Sequence, residues 1–387
     1  MNILFFHGTG IDPVMGGISK ITYLLATSLR KRSHNVFFLA PEKLNKKHDE
    51  KQYFLPDKNL LSEKNIQYLA EIISDNNIQY LINQAALNQS LSKFIFTAKN
   101  QNTKIFSVIH NSLFSRFDNI SYLLENKIKE NKLTIFFPLL KNKFIIFLIK
   151  QIYKYRHINH FKCVYNSSDK IIAVSPKNIA DIQYMYGTTN CNKIIAINNG
   201  IKRPSNVHNL ALKKKTIIWV GTTDFYNKRV DIILYIWSLI QNKIPEWNLK
   251  ILGDGVDLIK AKSFAQDLSL HRVDFAGRID PMEDFKLATI LCMTSASESF
   301  GLVLVEAMSY GVIPFAFNSF PAVTDIIQNG INGFLVEPFD IEQYAERLLT
   351  FCLVSDKEKS KIARNCIRQS QLFDIDAIVN EWEKILI

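Results

Sequence analysis

Glu298 and Glu306 stand with seven residues between them in the run Ser295–Gly311. A carboxylate accepts hydrogen bonds from vicinal hydroxyls, as a ribose or a hexose presents them. The residues around the pair say how it is held. Ala288 to Met293 is an apolar stretch that reads as a buried strand. Gly301 follows a polar loop, Leu302 to Tyr310 favours a helix, and Gly311 stands where that helix should stop. Strand, polar loop and helix in this order put a carboxylate and unpaired backbone N–H groups at the mouth of a parallel sheet, where open α/β folds bind ligands. The first N–H groups of a helix lack partners and its dipole is positive there, so the site suits a phosphate. Glu306 falls about a turn and a half into the helix, within reach of a nucleotide ribose. Glu298 precedes it and could face a sugar beyond the phosphates. On these residues alone, Glu298 could equally cap the helix, with Glu306 solvated.

Other residues suit the same chemistry. Trp219-Val220-Gly221 ends a strand, Thr222 to Asn227 forms a loop, and Lys228-Arg229-Val230-Asp231 opens a helix. A lysine there could neutralise a diphosphate leaving group as charge builds. Met15-Gly16-Gly17-Ile18 ends a long loop and opens a helix through Leu29; two glycines let backbone approach a ligand closely. Gly8-Thr9-Gly10 invites a dinucleotide reading, but Pro13 occupies the third glycine position and the fingerprint fails.

These sites need a scaffold, and the chain supplies the pattern twice. Ile3–Phe6, Val36–Ala40, Tyr80–Asn83, Ile105–His110 and Lys170–Val174 read as strands in the first half. Thr216–Val220, Leu249–Leu252, Val273–Ala276, Ala288–Met293 and Ile313–Phe317 do so in the second. Alternation with helical patterns predicts an α/β protein with two Rossmann-like domains. Asn198-Asn199-Gly200 is a turn signal, and Pro204-Ser205-Asn206 with Lys213-Lys214-Lys215 reads as a linker. The expected domains are 1–203 and 204–375, with a last helix over 376–387 that could cross back onto the first domain.

The chain has 387 residues, 47% hydrophobic and 21% charged, which suits two globular cores. Cys163, Cys191, Cys292, Cys352 and Cys366 are scattered, so neither a disulfide framework nor a zinc site is expected, and a reducing, cytoplasmic setting fits. The short apolar start, Asn2–Phe6, reads as the first strand and not as a secretory signal. No stretch of about 20 uncharged apolar residues suggests a spanning helix. The net charge of +11 is uneven: residues 1–200 carry 26 Lys and Arg against 13 acids, and the remainder 21 against 23. The first half is therefore expected to face something acidic, with no nucleic-acid motif to favour that partner.

The block Ser297-Glu298-Ser299-Phe300-Gly301, Glu306-Ala307-Met308, Gly311 and Pro314 resembles the E-x7-E motif of the retaining glycosyltransferases of family 4. Ser168–Ser175 and Asn332–Val336 match too, and the resemblance runs from Asn2 to about Pro338. It implies the GT-B fold, with parallel sheets facing across a cleft, the first domain binding acceptor and the second a nucleotide-sugar. It implies donor binding by Gly16, Gly17, Thr222, Lys228, Arg229, Arg278, Glu298, Ser299, Phe300, Gly301, Leu302 and Glu306. It implies catalytic roles for His110, Glu298 and Lys228: His110 ends a strand that would project beneath the donor sugar, and Arg278 follows Gly277 near the nucleobase. The family implies no metal and no cofactor besides the donor, and front-face substitution with the leaving diphosphate assisting the proton. The chain departs from the family at Thr222, which stands where an arginine is usual, with Arg229 a possible substitute. Asn198 replaces a usual proline, and Asn318–Asp325 is a degenerate form of a Gly-Gly-x-Pro-Glu turn.

Residues 127–162 form a Phe-, Ile- and Leu-rich stretch broken by Lys141, Lys143 and Lys150 and flanked by Lys132, Lys154 and Arg156. It reads either as a basic amphipathic helix lying on an anionic membrane or as a core helix with snorkelling lysines. The expected protein is a hexosyltransferase of bacterial surface-polysaccharide type (lipopolysaccharide or capsule), peripheral to the inner face of the cell membrane. It would move a sugar from a UDP-sugar, in preference to a GDP-sugar, to a lipid-linked or surface glycan. The alternative is a catalytically silent GT-B partner that binds nucleotide sugar or glycan in an assembly.

Overall fold

The computed structural model describes residues 1–12, 16–43, 52–98, 102–130, 137–187, 192–205 and 209–386. Pro13, Met15, Lys132, residues 134–136, Cys191 and Asn206, all used in reading the sequence, lie outside these. The chain divides into two units: residues 1–113, 151–202 and 373–387, and residues 114–150 and 203–372.

The first unit holds β1 (Asn2–Phe6), β2 (Asn35–Ala40), β3 (Gln52–Phe54), β4 (Tyr80–Asn83), β5 (Lys104–Ile109), β6 (Lys170–Ala173) and β7 (Ile194–Ala196). They form one sheet of order β3-β2-β1-β4-β5-β6-β7, every pairing parallel. Ile3, Leu4, Phe5 and Phe6 are all fully buried, as expected where helices cover both faces of a parallel sheet. The helix Gly17–Lys31 buries Ile21, Leu25 and Leu29, a spacing that puts one stripe on the core. The last helix, Ile375–Ile385, belongs to this unit. Its entry is fixed by Ile201 N donating to Phe373 O (2.8 Å) and Ile375 N donating to Ile201 O (2.9 Å). Arg32 and His34 both reach Glu383, at 2.7 and 3.0 Å.

The second unit holds β8 (Lys214–Val220), β9 (Asn248–Leu252), β10 (Val273–Gly277), β11 (Ala288–Met293), β12 (Ile313–Phe317) and β13 (Phe334–Val336), in the parallel order β10-β9-β8-β11-β12-β13. The strand order reverses between β8 and β11, so their carboxyl ends diverge and leave a crevice. In the first unit the same reversal lies between β1 and β4.

Three strands escaped the sequence reading: β3, β7 and β13, each of three residues. All lie at sheet edges, where a strand needs too few residues to show a pattern. Residues 114–130 and 137–150, which lie inside the expected first domain 1–203, group with the second unit. The cause is side-chain chemistry that local pattern does not reveal: Asn119 and Arg229 tie this segment to the loops of the second sheet.

Candidate functional site

The crevice of the second unit gathers most of the residues singled out above. After β8 the chain turns through residues 221–229. Asp224 organises this turn: its Oδ1 accepts from the backbone N–H of Tyr226 (3.0 Å), Asn227 and Lys228 (3.0 Å). That fixes the backbone from which Lys228 projects. Thr294, just past β11, clamps the same turn by donating to the carbonyls of Lys228 and Arg229 at 3.0 and 2.8 Å. Lys228 Nζ pairs with Glu298 Oε1, and the Ser295 hydroxyl donates to that same oxygen at 2.7 Å. Lysine and glutamate side chains are 26% and 12% exposed, so the pair faces the crevice without being swallowed by the core. A cation and a carboxylate in contact here can receive an anion and a hydroxyl side by side.

Gly301 caps the helix Leu302–Ser309 with φ 88°, a left-handed value that favours glycine. Phe320 packs against it, so the degenerate Asn318–Asp325 loop still closes over the turn; a Cβ on Gly301 would lie 3.0 Å from the Phe320 ring. Ser299 and Leu302 are half-buried beside this turn, and Phe300 is fully buried and anchors it. Glu306 is half-buried on the helix itself, and Arg278 is exposed in the loop after β10.

Two findings revise the expected donor set. Arg229 is 3% exposed and is consumed internally. Its Nε and Nη2 grip Asp231 (3.1 and 2.9 Å), Nη2 also reaches Glu125 at 3.0 Å, and Nη1 donates to the Tyr122 carbonyl at 2.7 Å. Arg229 is therefore structural and does not replace the arginine missing at Thr222. Thr222 itself is exposed at the mouth of the turn. The second finding is a set of groups that sequence reasoning missed. Gly253 comes so close to the first loop that a Cβ there would overlap the Gly221 carbonyl oxygen. Gly221 N donates to Leu252 O (3.0 Å) and Gly253 N to Gly277 O (2.8 Å), which stitches the ends of β8, β9 and β10 together. Gly253-Asp254-Gly255 directly after a strand was the available signal. Asp224 carried none beyond being an acid in a loop.

In the first unit, His7, Gln84 and His110 follow β1, β4 and β5, three neighbouring strands, and so share the carboxyl edge of that sheet. His110 is 4% exposed and shares a 2.5 Å hydrogen bond between its Nε2 and Gln84 Oε1. Burial, with His7 close by, pushes its pKa down to about 3, so the ring is neutral at physiological pH. Its Nδ1 is buried without a partner. His110 is thus packed at the carboxyl edge of the first sheet, with one ring nitrogen spent on Gln84. Gly16 caps the helix Gly17–Lys31, with both glycines exposed. Among the described residues no cluster of three or more His, Cys, Asp or Glu could hold a metal ion.

Two parallel sheets with their reversals, and a loop-and-helix crevice at one of them, define an α/β protein of the GT-B class. Solved structures agree over the whole length. The lipopolysaccharide outer core galactosyltransferase WaaB matches with a TM-score of 0.69 at 19% identity, covering 99% of this chain and 98% of that one. Anabaena HepE in complex with UDP and glucose matches at 0.71 and 16% identity, covering 100% and 99%. At such identities these likenesses concern the fold. A model of glycosyl transferases group 1 matches residues 201–370, and one of glycosyltransferase family 4 matches residues 15–203. Among curated relatives, an uncharacterized glycosyltransferase of Haemophilus influenzae is 32% identical over 229 residues, 56% of this chain and 61% of its own length. The lipopolysaccharide 1,6-galactosyltransferase of Salmonella typhimurium is 32% identical over 142 residues, 35% and 39% of the two lengths. The match thus spans less than two thirds of either relative. The two family models overlap at residues 201–203 and between them take in residues 15–370 of the chain, which belongs to the family 4 glycosyltransferases.

Proposed function

We propose that the protein is a retaining hexosyltransferase, independent of metal and cofactor. It moves a sugar from a nucleotide-diphosphate sugar, UDP-linked in preference to GDP-linked, to a hydroxyl of a lipid-linked or surface glycan. The observation that carries this reading is the Lys228–Glu298–Ser295 cluster beside the helix that bears Glu306, at the strand reversal of the second sheet. Lys228 and the first N–H groups of the helix Leu302–Ser309 hold the diphosphate and stabilise it as it leaves. Glu306 accepts from the ribose hydroxyls, and Glu298 accepts from the sugar. Arg278, in the loop after β10, stands towards the base. HepE, crystallised with UDP and glucose, supports the choice of base, and the galactosyltransferase relatives support the class of acceptor.

The membrane face belongs to the same proposal. The helix Lys143–Ser167 exposes Phe144, Phe147, Leu148, Ile152 and Tyr155 at fractions from 42 to 84%. Their spacing puts them along one stripe. Lys143 and Arg156 are exposed on the same helix. Lys150 is drawn to Asp118 and Lys154 lies over the Tyr184 ring, so these two are not free for headgroups. We place this stripe in the interface of an anionic membrane, at its inner face, where a lipid-linked acceptor would be met. No described helix is long and apolar enough to cross a membrane.

Calorimetric titration with UDP, GDP and their sugars in the presence of a chelator tests the donor reading, beside a Glu306→Ala variant. Micromolar binding of one nucleotide, lost in the variant, is the expected result; no binding to any of them refutes it. The second reading, a silent partner, is favoured by one observation: Thr222 carries no charge and Arg229 is locked to Asp231 and Glu125. It predicts nucleotide-sugar binding with no transfer to any acceptor extract and no release of nucleotide.

A further inference from the structure

Residues 114–125 lie on the second unit and touch the loop that carries Glu298. Asn119 is 5% exposed. Its Nδ2 donates to the Ala296 carbonyl at 2.9 Å and to the Ser319 carbonyl at 2.7 Å. The two acceptors belong to different loops, one after β11 and one after β12. The loops are tied again by Ser319 Oγ, which donates to Ser295 O at 2.7 Å. Ala296 N donates to Asn227 O at 2.7 Å, which reaches the turn that bears Lys228. The Ser115 and Ser297 hydroxyls meet at 3.1 Å. Further along, the Tyr122 ring stacks on Phe339 with centroids 3.8 Å apart, and Glu125 pairs with Arg229. Each contact holds the segment down, and Asn119, beside the Ser319 hydroxyl, ties the loop that carries Glu298 to the loop after β12.

We propose that Asn119 is a positioning residue for the sugar-recognising loop Ser295–Gly301, acting through two backbone carbonyls and not through substrate. The inference rests on the donor reading above for its link to sugar recognition. The chemistry of the side chain explains the choice of residue. A primary amide has two N–H donors on one nitrogen, diverging in a plane, so it can satisfy two carbonyls at once. An aspartate of the same shape would set carboxylate oxygens against both. A serine could serve one. With both carbonyls held, Ala296 cannot swing and the stretch to Glu298 keeps the shape that meets Lys228. Glu306 lies beyond, on a helix braced by its own core residues Leu304, Val305 and Met308. Nucleotide recognition should therefore survive the loss of Asn119, while recognition of the attached sugar should not.

The experiment compares the full chain with its Asn119→Asp and Asn119→Ala variants by two measurements. Amide hydrogen exchange should rise about tenfold at residues 295–301 and 318–320 in both variants, with the rest of the second unit unchanged. Titrations with UDP, UDP-glucose, UDP-galactose and UDP-N-acetylglucosamine give the second readout. The affinity for UDP should stay within about threefold, and the Kd ratio of the preferred nucleotide sugar to UDP should rise about tenfold. A purely structural role would lower both affinities together and leave that ratio unmoved, and this result overturns the proposal. Unchanged exchange at both loops overturns it as well. If the unaltered chain binds none of the four ligands, the donor reading falls and the sugar-recognition role with it, while the exchange data still decide whether Asn119 holds the loops.

Discussion

Arg229 is a donor ligand in the sequence expectation and a buried brace in the structure, and its replacement distinguishes the two. Replacement by methionine keeps the length of the stem and removes the guanidinium. In the structure Nε, Nη1 and Nη2 all donate, to Asp231, the Tyr122 carbonyl and Glu125. Asp231 and Glu125 are only 12% and 22% exposed, so the loss leaves two partly buried carboxylates near each other and a carbonyl without its donor. Removing one member of a buried ion pair costs about 3–5 kcal/mol. The partial exposure of both carboxylates argues for the lower end, about 3 kcal/mol. At roughly 2–4 °C per kcal/mol for a unit of this size, the melting transition of the second unit should fall by about 6–12 °C. Differential scanning calorimetry of the Arg229→Met variant measures the shift, and UDP titration at 15 °C measures the ligand. The affinity for UDP should change by less than about threefold, since a loss of that size leaves a typical domain folded. An unchanged melting temperature with UDP binding abolished would refute the assignment and return Arg229 to the donor site.

Gly253→Ala should be far costlier than its single methyl suggests, about 3 kcal/mol or more by urea unfolding, because the Cβ meets the Gly221 carbonyl and backbone must move. Lys228→Met and Glu298→Gln should be strongly non-additive in donor affinity, with a coupling of about 1–3 kcal/mol in a double-mutant cycle; additivity would mean that the pair is not part of one site. His110 yields a pH dependence. Its folded pKa of about 3 lies below the unfolded value, so the unfolded chain binds the extra proton between the two and stability falls as pH drops from 6.5 towards 3. The His110 contribution at pH 5 is a loss of about 2 kcal/mol in the first unit, and acid unfolding of His110→Asn should lack it. Phe144→Ser with Phe147→Ser should cut co-sedimentation with phosphatidylglycerol vesicles at least tenfold without altering UDP binding; retained sedimentation would remove the helix Lys143–Ser167 from the membrane reading.

The sequence by itself determined what depends on neighbours along the chain. The apolar runs that became β1, β8, β11 and β12, the turn at Gly301 and the helix after it are local, because hydrophobic period and glycine conformation act over a few residues. Glu298, Glu306 and Lys228 could be singled out for the same reason, each near the end of a strand. For the two glutamates, the choice between a ligand and a cap or solvated residue came from the resemblance of the whole block. Tertiary structure alone decided which partners those residues meet. Arg229 sits next to Lys228 in sequence, yet one side chain faces the crevice and the other is buried against Asp231 and Glu125. Gln84 and His110 meet across two strands, and Asn119 reaches carbonyls 177 and 200 residues further along the chain. No local pattern encodes such meetings. They follow from the order in which strands pair, which sets the carboxyl ends that lie side by side, and from the high cost of leaving a buried donor or acceptor unpaired, which fixes how the side chains there are spent.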